Sequence, residues 1–193
     1  MLRVVGGSWR GRRLRTPVAG VRPTADRVRE AIFNILGQHL DDERVLDLYA
    51  GSGALGIEAL SRGARQAVFV EQSPRVAEVI RANLDSLGAT DRAQVLVMDA
   101  RSFISRPEDG LYDTVLADPP YRDLPEAAFW NTVLLQRVAP GGRLVIEHAA
   151  RDQVELGAAD EVRVRRYGDT AVTLGRRPPH GAPRPAVIHE DKA

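Results

Sequence analysis

Residues 45–56 read V-L-D-L-Y-A-G-S-G-A-L-G. A short apolar run reads as a buried strand, and Gly51, Gly53 and Gly56 follow it in the G-x-G-x-x-G spacing. Glycines so placed permit a tight turn and a close approach of backbone to ligand. The pattern alone also fits a structural turn, so its meaning depends on its surroundings. One neighbour is Asp47, four residues before the loop. A pyrophosphate is anionic, and an acid beside its loop would repel it. Asp47 suits a ligand that carries positive charge.

Outward from this loop the chain alternates regularly. Strand-like runs lie at 45–49, 67–71, 94–99, 114–118 and 143–147, with helix-like stretches between them. The clearest helix is 74–87: Ser73 caps it, Pro74 starts it, Val76, Val79, Ile80, Leu84 and Leu87 form its apolar face, and Gly88 stops it. Another is expected from Asp123, with Glu126 completing a capping box. Strands apolar on both faces and alternating with helices predict an α/β fold with a mostly parallel, doubly covered sheet. The runs 161–167 and 170–174, joined by Gly168-Asp169, predict a closing antiparallel hairpin with a type I′ turn. We expect three segments: a basic N-terminal hairpin extension at 1–20, one catalytic domain at 21–177, and a disordered proline-rich tail at 178–193.

In open α/β sheets, ligands bind beyond the carboxyl ends of the strands. Asp47, Glu71, Asp99 and Asp118 all close strands. One such acid is usually a helix cap or a turn former, but four in succession beside a glycine loop point to a ligand. S-adenosylmethionine fits, with an ammonium and a sulfonium for Asp47, and a ribose and an adenine for Glu71 and Asp99. Asp118 opens D-P-P-Y at 118–121. Prolines cannot donate to a sheet ladder, so the strand ends there and leaves carbonyls unpaired. The Asp118 carboxylate and the Pro119 carbonyl are then acceptors at the strand end, with the flat ring of Tyr121 beside them.

Composition narrows the rest. The 193 residues are 44% hydrophobic and 27% charged, a globular balance. No run approaches the length of a membrane span, and no targeting segment is evident, so a cytoplasmic location is expected. There is no cysteine, which removes thiolate metal sites and the thiolate adduct that cytosine C5 methylation uses. The four histidines are scattered, and no metal is assigned. The net charge of +1 hides an asymmetry: residues 1–29 hold eight arginines against Asp26 alone. A basic arm of this kind suggests a polyanionic partner. Its helix is expected to open at Pro23-Thr24 with Thr24 as N-cap. Val28, Ala31, Ile32, Ile35 and Leu36 form its apolar stripe, leaving Arg27 and Arg29 to face a partner.

Residues 45–56, Glu71, Asp99-Ala100 and D-P-P-Y together resemble the class I methyltransferases. The resemblance tightens at V-V-G-G-S-W-R-G-R-R-L, R-P-T-A-D-R-V-R-E-A-I-F-N-I-L (22–36) and R-Y-G-D-T (166–170). These stretches are similar to the bacterial family that methylates the N2 amine of a guanine (guanine 966 in the conventional numbering) in 16S rRNA. The likeness spans about residues 3–175. It implies a Rossmann-like, seven-stranded sheet, S-adenosylmethionine as cofactor, and an assembling small ribosomal subunit as partner, with the enzyme a monomer. Carried over to this sequence, the cofactor residues are Asp47, Tyr49, Gly51, Gly53, Gly56, Glu71, Gln72, Asp99 and Ala100. The catalytic set is Asp118, Pro119, Pro120 and Tyr121. The RNA-binding set is Arg3, Arg10, Arg12, Arg13, Arg22, Thr24, Arg27 and Arg29.

Three other readings compete. A DNA amino-methyltransferase also uses D-P-P-Y, but usually with a recognition domain for which this chain has no room. A nicotinamide oxidoreductase shares the glycine loop and explains neither Asp47 nor D-P-P-Y. A non-catalytic RNA-binding protein explains only the arm.

Overall fold

Val45, Leu46 and Leu48 are wholly buried in β1 (Arg44–Leu48), as the opening run predicts. The computed structural model describes residues 2–17, 23–106, 110–120, 134–179 and 187–189. The chain divides into two compact units, Met1–Phe103 and Ile104–Ala193.

In the first unit β1 pairs in parallel with β2 (Gln66–Glu71), Arg44 opposite Gln66 and Leu48 opposite Val70. β2 pairs in parallel with β3 (Ala93–Val97), ending at Glu71 opposite Val97. The crossovers carry α2 (Ala54–Ser61) and α3 (Pro74–Leu87). α3 matches its sequence signals: Ser73 Oγ accepts the Val76 N–H at 3.4 Å, and Gly88 ends it in the left-handed region. β3 departs from the two-faced burial we expected. It is an edge strand, only half-buried, and Val97 is 41% exposed.

α1 (Pro23–Leu36) buries Val28, Ile32, Phe33 and Leu36. It starts at Pro23, so Thr24 lies inside the first turn and is not the N-cap. Proline's fixed φ suits the first helical position, which moves the boundary two residues earlier than expected. The N-terminal hairpin forms, with Arg3 bridged to Arg13 and the Val4 N–H donating to the Arg12 carbonyl at 2.9 Å. It is packed down rather than loose, since Leu2, Val4 and Leu14 are 3%, 1% and 6% exposed.

The second unit holds β4 (Tyr112–Ala117), β5 (Val138–Ala149), β6 (Glu161–Tyr167) and β7 (Thr170–Arg176). β4 pairs in parallel with β5, β5 antiparallel with β7, and β7 antiparallel with β6. β5 starts earlier than expected. Val138 pairs with Tyr112, the register then shifts, and Pro140-Gly141-Gly142 falls before the regular ladder resumes at Arg143. The β6–β7 turn has φ of 62° at Gly168 and no positive φ at Asp169, the pattern of type II′ and not type I′.

The tail also differs from expectation. Val187–His189 form β8, a short strand parallel to β6. β6 would otherwise present unpaired N–H and C=O groups, and β-branched Val187 and Ile188 are well suited to cover them. Among the described residues the seven strands expected are therefore joined by an eighth. The helix expected from Asp123 lies outside the described residues. Among those residues no helix is long and apolar enough to cross a membrane.

Candidate active site

The glycine loop is held from beneath by Asp47 and from the side by Glu71. Asp47 is 1% exposed, and its Oδ2 accepts the Gly56 N–H at 2.8 Å. That acid therefore does structural work inside the turn. Glu71 Oε2 accepts the Gly51 N–H at 3.0 Å, and its Oε1 accepts the Ser73 N–H at 2.8 Å. A carboxylate oxygen has two lone pairs, so each can accept one further hydrogen bond. The loop residues Tyr49, Gly51 and Gly53 have φ of 62°, 53° and 77°. Positive φ is costly for a tyrosine, and such strain concentrates at ligand sites. Gly56 serves a different need. A Cβ there would stand 2.8 Å from Phe69 Cζ and 3.1 Å from Asp47 Oδ2, so only glycine lets α2 close on β2.

Gln72 follows Glu71 and is exposed. Asp99 also reaches solvent, while its Oδ1 caps α4 (Ala100–Ile104) through the Ser102 N–H at 3.0 Å. Ala100 is buried at the first position of that helix. The loop, Glu71 and the Asp99–Ala100 corner thus supply backbone turns and two carboxylates, a set that fits the chemistry of S-adenosylmethionine.

In the second unit Asp118 directly follows β4, as D-P-P-Y requires. Its side chain is open to water on one side, yet the protein around it displaces bulk solvent. That desolvation pushes its carboxyl up to about 6. Pro119 is buried and Pro120 exposed. Tyr121 lies outside the described residues.

The arginine set splits. Arg3, Arg10, Arg12, Arg13 and Arg27 are exposed, and Arg12 donates to the Ser86 carbonyl at 2.8 Å. Arg22 lies outside the described residues. Arg29, expected to face a partner, is instead 4% exposed. It donates to Asp26 at 2.8 Å and to the Arg3 carbonyl at 2.6 Å, and it pairs with Glu58 at 3.7 Å. The cause is Glu58, fully buried in α2 and in need of positive partners. Glu58 also pairs with Arg62 at 2.9 Å and accepts the Val5 N–H at 2.8 Å.

Sequence reading missed this cluster. A single acid within the apolar helix A-L-G-I-E-A-L-S was its signal. It missed Asn83 too, a 1% exposed amide on the inner face of α3.

The family model described as Conserved hypothetical protein 95 matches residues 2–176. Over 184 residues the chain is 37% identical to a Bacillus subtilis protein described as the putative rRNA methyltransferase YlbH, which covers 91% of this chain and 99% of that one. It is 44% identical over 122 residues to the ribosomal RNA small subunit methyltransferase D of Escherichia coli, covering 63% of this chain and 61% of that protein. The solved structure of the putative methyltransferase yhhF from Escherichia coli matches with a TM-score of 0.79 at 36% identity, over 92% of this chain and 98% of the other. The fold, at 23% identity and a TM-score of 0.70, is also that of a T. thermophilus 16S rRNA N2 G1207 methyltransferase solved with AdoMet and guanosine, over 83% of this chain and 44% of that one. With the match running from residue 2 to residue 176, the chain belongs to the Conserved hypothetical protein 95 family, that of the small-subunit rRNA methyltransferases D, and is an S-adenosylmethionine-dependent methyltransferase.

Proposed function

We propose that this enzyme methylates the exocyclic N2 amine of a guanine in 16S rRNA, within an assembling small ribosomal subunit. The observation that carries this reading is Asp118: an acid at the very end of β4, opening D-P-P-Y, with its carboxyl raised to about 6. S-adenosylmethionine supplies, when bound, an electrophilic methyl on a sulfonium. The chain's own task is to present a poor nucleophile, since the amine lone pair is delocalised into the base. Asp118 and the Pro119 carbonyl accept the two N–H bonds and aim the nitrogen. Tyr121 holds the ring by stacking, which is worth about 1–3 kcal/mol. Orientation of this kind supplies roughly 7–11 kcal/mol of a barrier. As the nitrogen gains its fourth bond its proton becomes acidic, and the Asp118 carboxylate takes it.

The exposed arginines of residues 1–20 and Arg27 grip phosphates and so position the RNA, leaving base selection to the D-P-P-Y segment. The enzyme works as a monomer in the cytoplasm, where the subunit is assembled, and residues 1–20 extend a single catalytic domain spanning 21–177. The test is transfer of labelled methyl to small-subunit particles, naked 16S rRNA and duplex DNA, followed by nucleoside analysis. N2-methylguanosine from the ribosomal substrates is expected. Label appearing as N6-methyladenine or N4-methylcytosine in DNA, with none in RNA, would establish the DNA amino-methylase instead.

A further inference from the structure

Asn83 belongs neither to the arm nor to the glycine loop, yet it holds both. Its Oδ1 accepts the Arg15 N–H at 2.7 Å, and its Nδ2 donates to the Arg15 carbonyl at 3.1 Å. The same Nδ2 donates to the Ser52 carbonyl at 3.1 Å, in the middle of the glycine loop. A primary amide has two N–H donors, and here one goes to each segment. At 1% exposure, water cannot replace either partner.

A second tie joins the same two parts of the molecule. α2 grows directly out of the glycine loop, and its Glu58 accepts the Val5 N–H while Ser61 Oγ donates to the Gly6 carbonyl at 2.6 Å. Ser61 Oγ also accepts the Trp9 N–H at 2.9 Å. The hairpin is therefore bonded at its turn to the helix that follows the loop, and at its exit, through Asn83, to the loop itself. The polar contacts are directional and partly buried, so a shift of the loop is passed to Arg15 through the Asn83 amide.

We infer that Asn83 is a positioning residue that couples the glycine loop to the N-terminal arm: cofactor in the loop orders the arm, and RNA on the arm tightens the cofactor. The second half rests on the proposed RNA-binding role of the arm; the first half does not. Linkage makes the cofactor's effect on RNA affinity equal to the effect of RNA on cofactor affinity, and such couplings commonly amount to about 5- to 150-fold.

Amide hydrogen exchange on the full chain, with and without saturating S-adenosylhomocysteine, reads the first half without any RNA. In the parent, exchange at Arg15 and Leu14 should slow about 5-fold or more on adding S-adenosylhomocysteine. In Asn83→Ala the ratio should fall to about one while S-adenosylhomocysteine still binds. A purely structural role would raise exchange in both states alike and leave the ratio unchanged. Should Asn83→Ala not fold, Asn83→Asp serves, since it keeps the acceptor for the Arg15 N–H and loses both donors, and the parent ratio stands as a test by itself. An Arg15 amide indifferent to S-adenosylhomocysteine in the parent, or a parent-like ratio in the variant, overturns the coupling. Measuring 16S rRNA affinity under the same two conditions reads the second half. Arm protection without any RNA binding would uphold the coupling and sink the RNA reading; RNA binding with no arm protection would do the reverse.

Discussion

Glu71 Oε2 accepts the backbone N–H of Gly51 at 3.0 Å, so the acid at the end of β2 clamps the loop that leaves β1. The residue assigned to the ribose is thus also the residue that shapes the loop.

Replacing it should remove both functions together. Hydrogen bonds to a charged group contribute roughly 1.5–3 kcal/mol, so Glu71→Ala should weaken S-adenosylmethionine binding about 10- to 100-fold by calorimetry. Glu71→Gln keeps an acceptor oxygen and should fall between. Parent-like affinity in Glu71→Ala would refute the ribose assignment.

Asp118 must be ionised to accept an N–H bond at full strength and to take the proton that methyl transfer releases. With its carboxyl at about 6, methyl transfer under single-turnover conditions should rise as pH climbs through about 6 and level off above 7. Asp118→Asn should lose most of the rate and all of that pH dependence. A parent profile flat from pH 5 to 8 would remove Asp118 from the chemistry.

The same acid should cost stability. Its folded carboxyl lies above the ordinary value of 3.8, so the folded state holds the proton more tightly than the unfolded chain. Stability from this group is fully present below pH 3.8 and is lost as pH rises through about 6. Asp118→Asn should therefore melt higher than the parent at pH 7.5, with the gap closing towards pH 4. His148 acts oppositely. Burial lowers its pKa and keeps it neutral against Thr173 Oγ1 at 2.8 Å, so its contribution fades as the solution is acidified. Parent and variant must therefore be compared at each pH.

Glu58 has Arg29 and Arg62 as buried partners, and removing one side of such a cluster strands the other. Glu58→Ala should destabilise the protein by about 3–5 kcal/mol in denaturant titration. It should also release the hairpin, seen as faster exchange of the Val5 amide. A change below about 1 kcal/mol would mean that the cluster is not an organising centre.

Deleting the arm is a poor test of RNA binding, because Leu2, Val4 and Leu14 are core residues worth about 1.5–3 kcal/mol each. Arg10→Ala with Arg13→Ala changes only exposed charge. The pair should weaken RNA binding and flatten the log–log salt dependence by about 0.7–0.9 per lost phosphate contact, with S-adenosylmethionine affinity unchanged. An unaltered salt slope would show both side chains to be simply solvated.

Much of this protein could be read along the chain because its signals are local. The glycine spacing, the acids at strand ends, the Ser73–Gly88 boundaries and the Gly168 turn each act within a few residues of themselves. Strand and helix periods then follow from which faces are apolar. D-P-P-Y is equally local: proline stops the ladder wherever it stands, which leaves Asp118 at the strand end.

What lay beyond the sequence depended on pairing between distant segments. The charge pattern of α1 leaves Arg29 facing outward; the structure buries it, because Glu58, 29 positions later, has no water and needs a cation. Asn83 is an ordinary polar residue of α3 until Arg15 and Ser52, 68 and 31 positions away, meet at its amide. β6 takes on β8 because an open strand edge leaves hydrogen bonds unmade, a need that exists only once the sheet has formed. Sequence by itself determined most of the elements and which residues stand at their ends, since those depend on backbone preference and spacing. Tertiary structure alone decided which charged and polar groups would be sealed from water, since desolvation is set by what packs on top, and that choice turned apparent surface residues into the anchors of the arm.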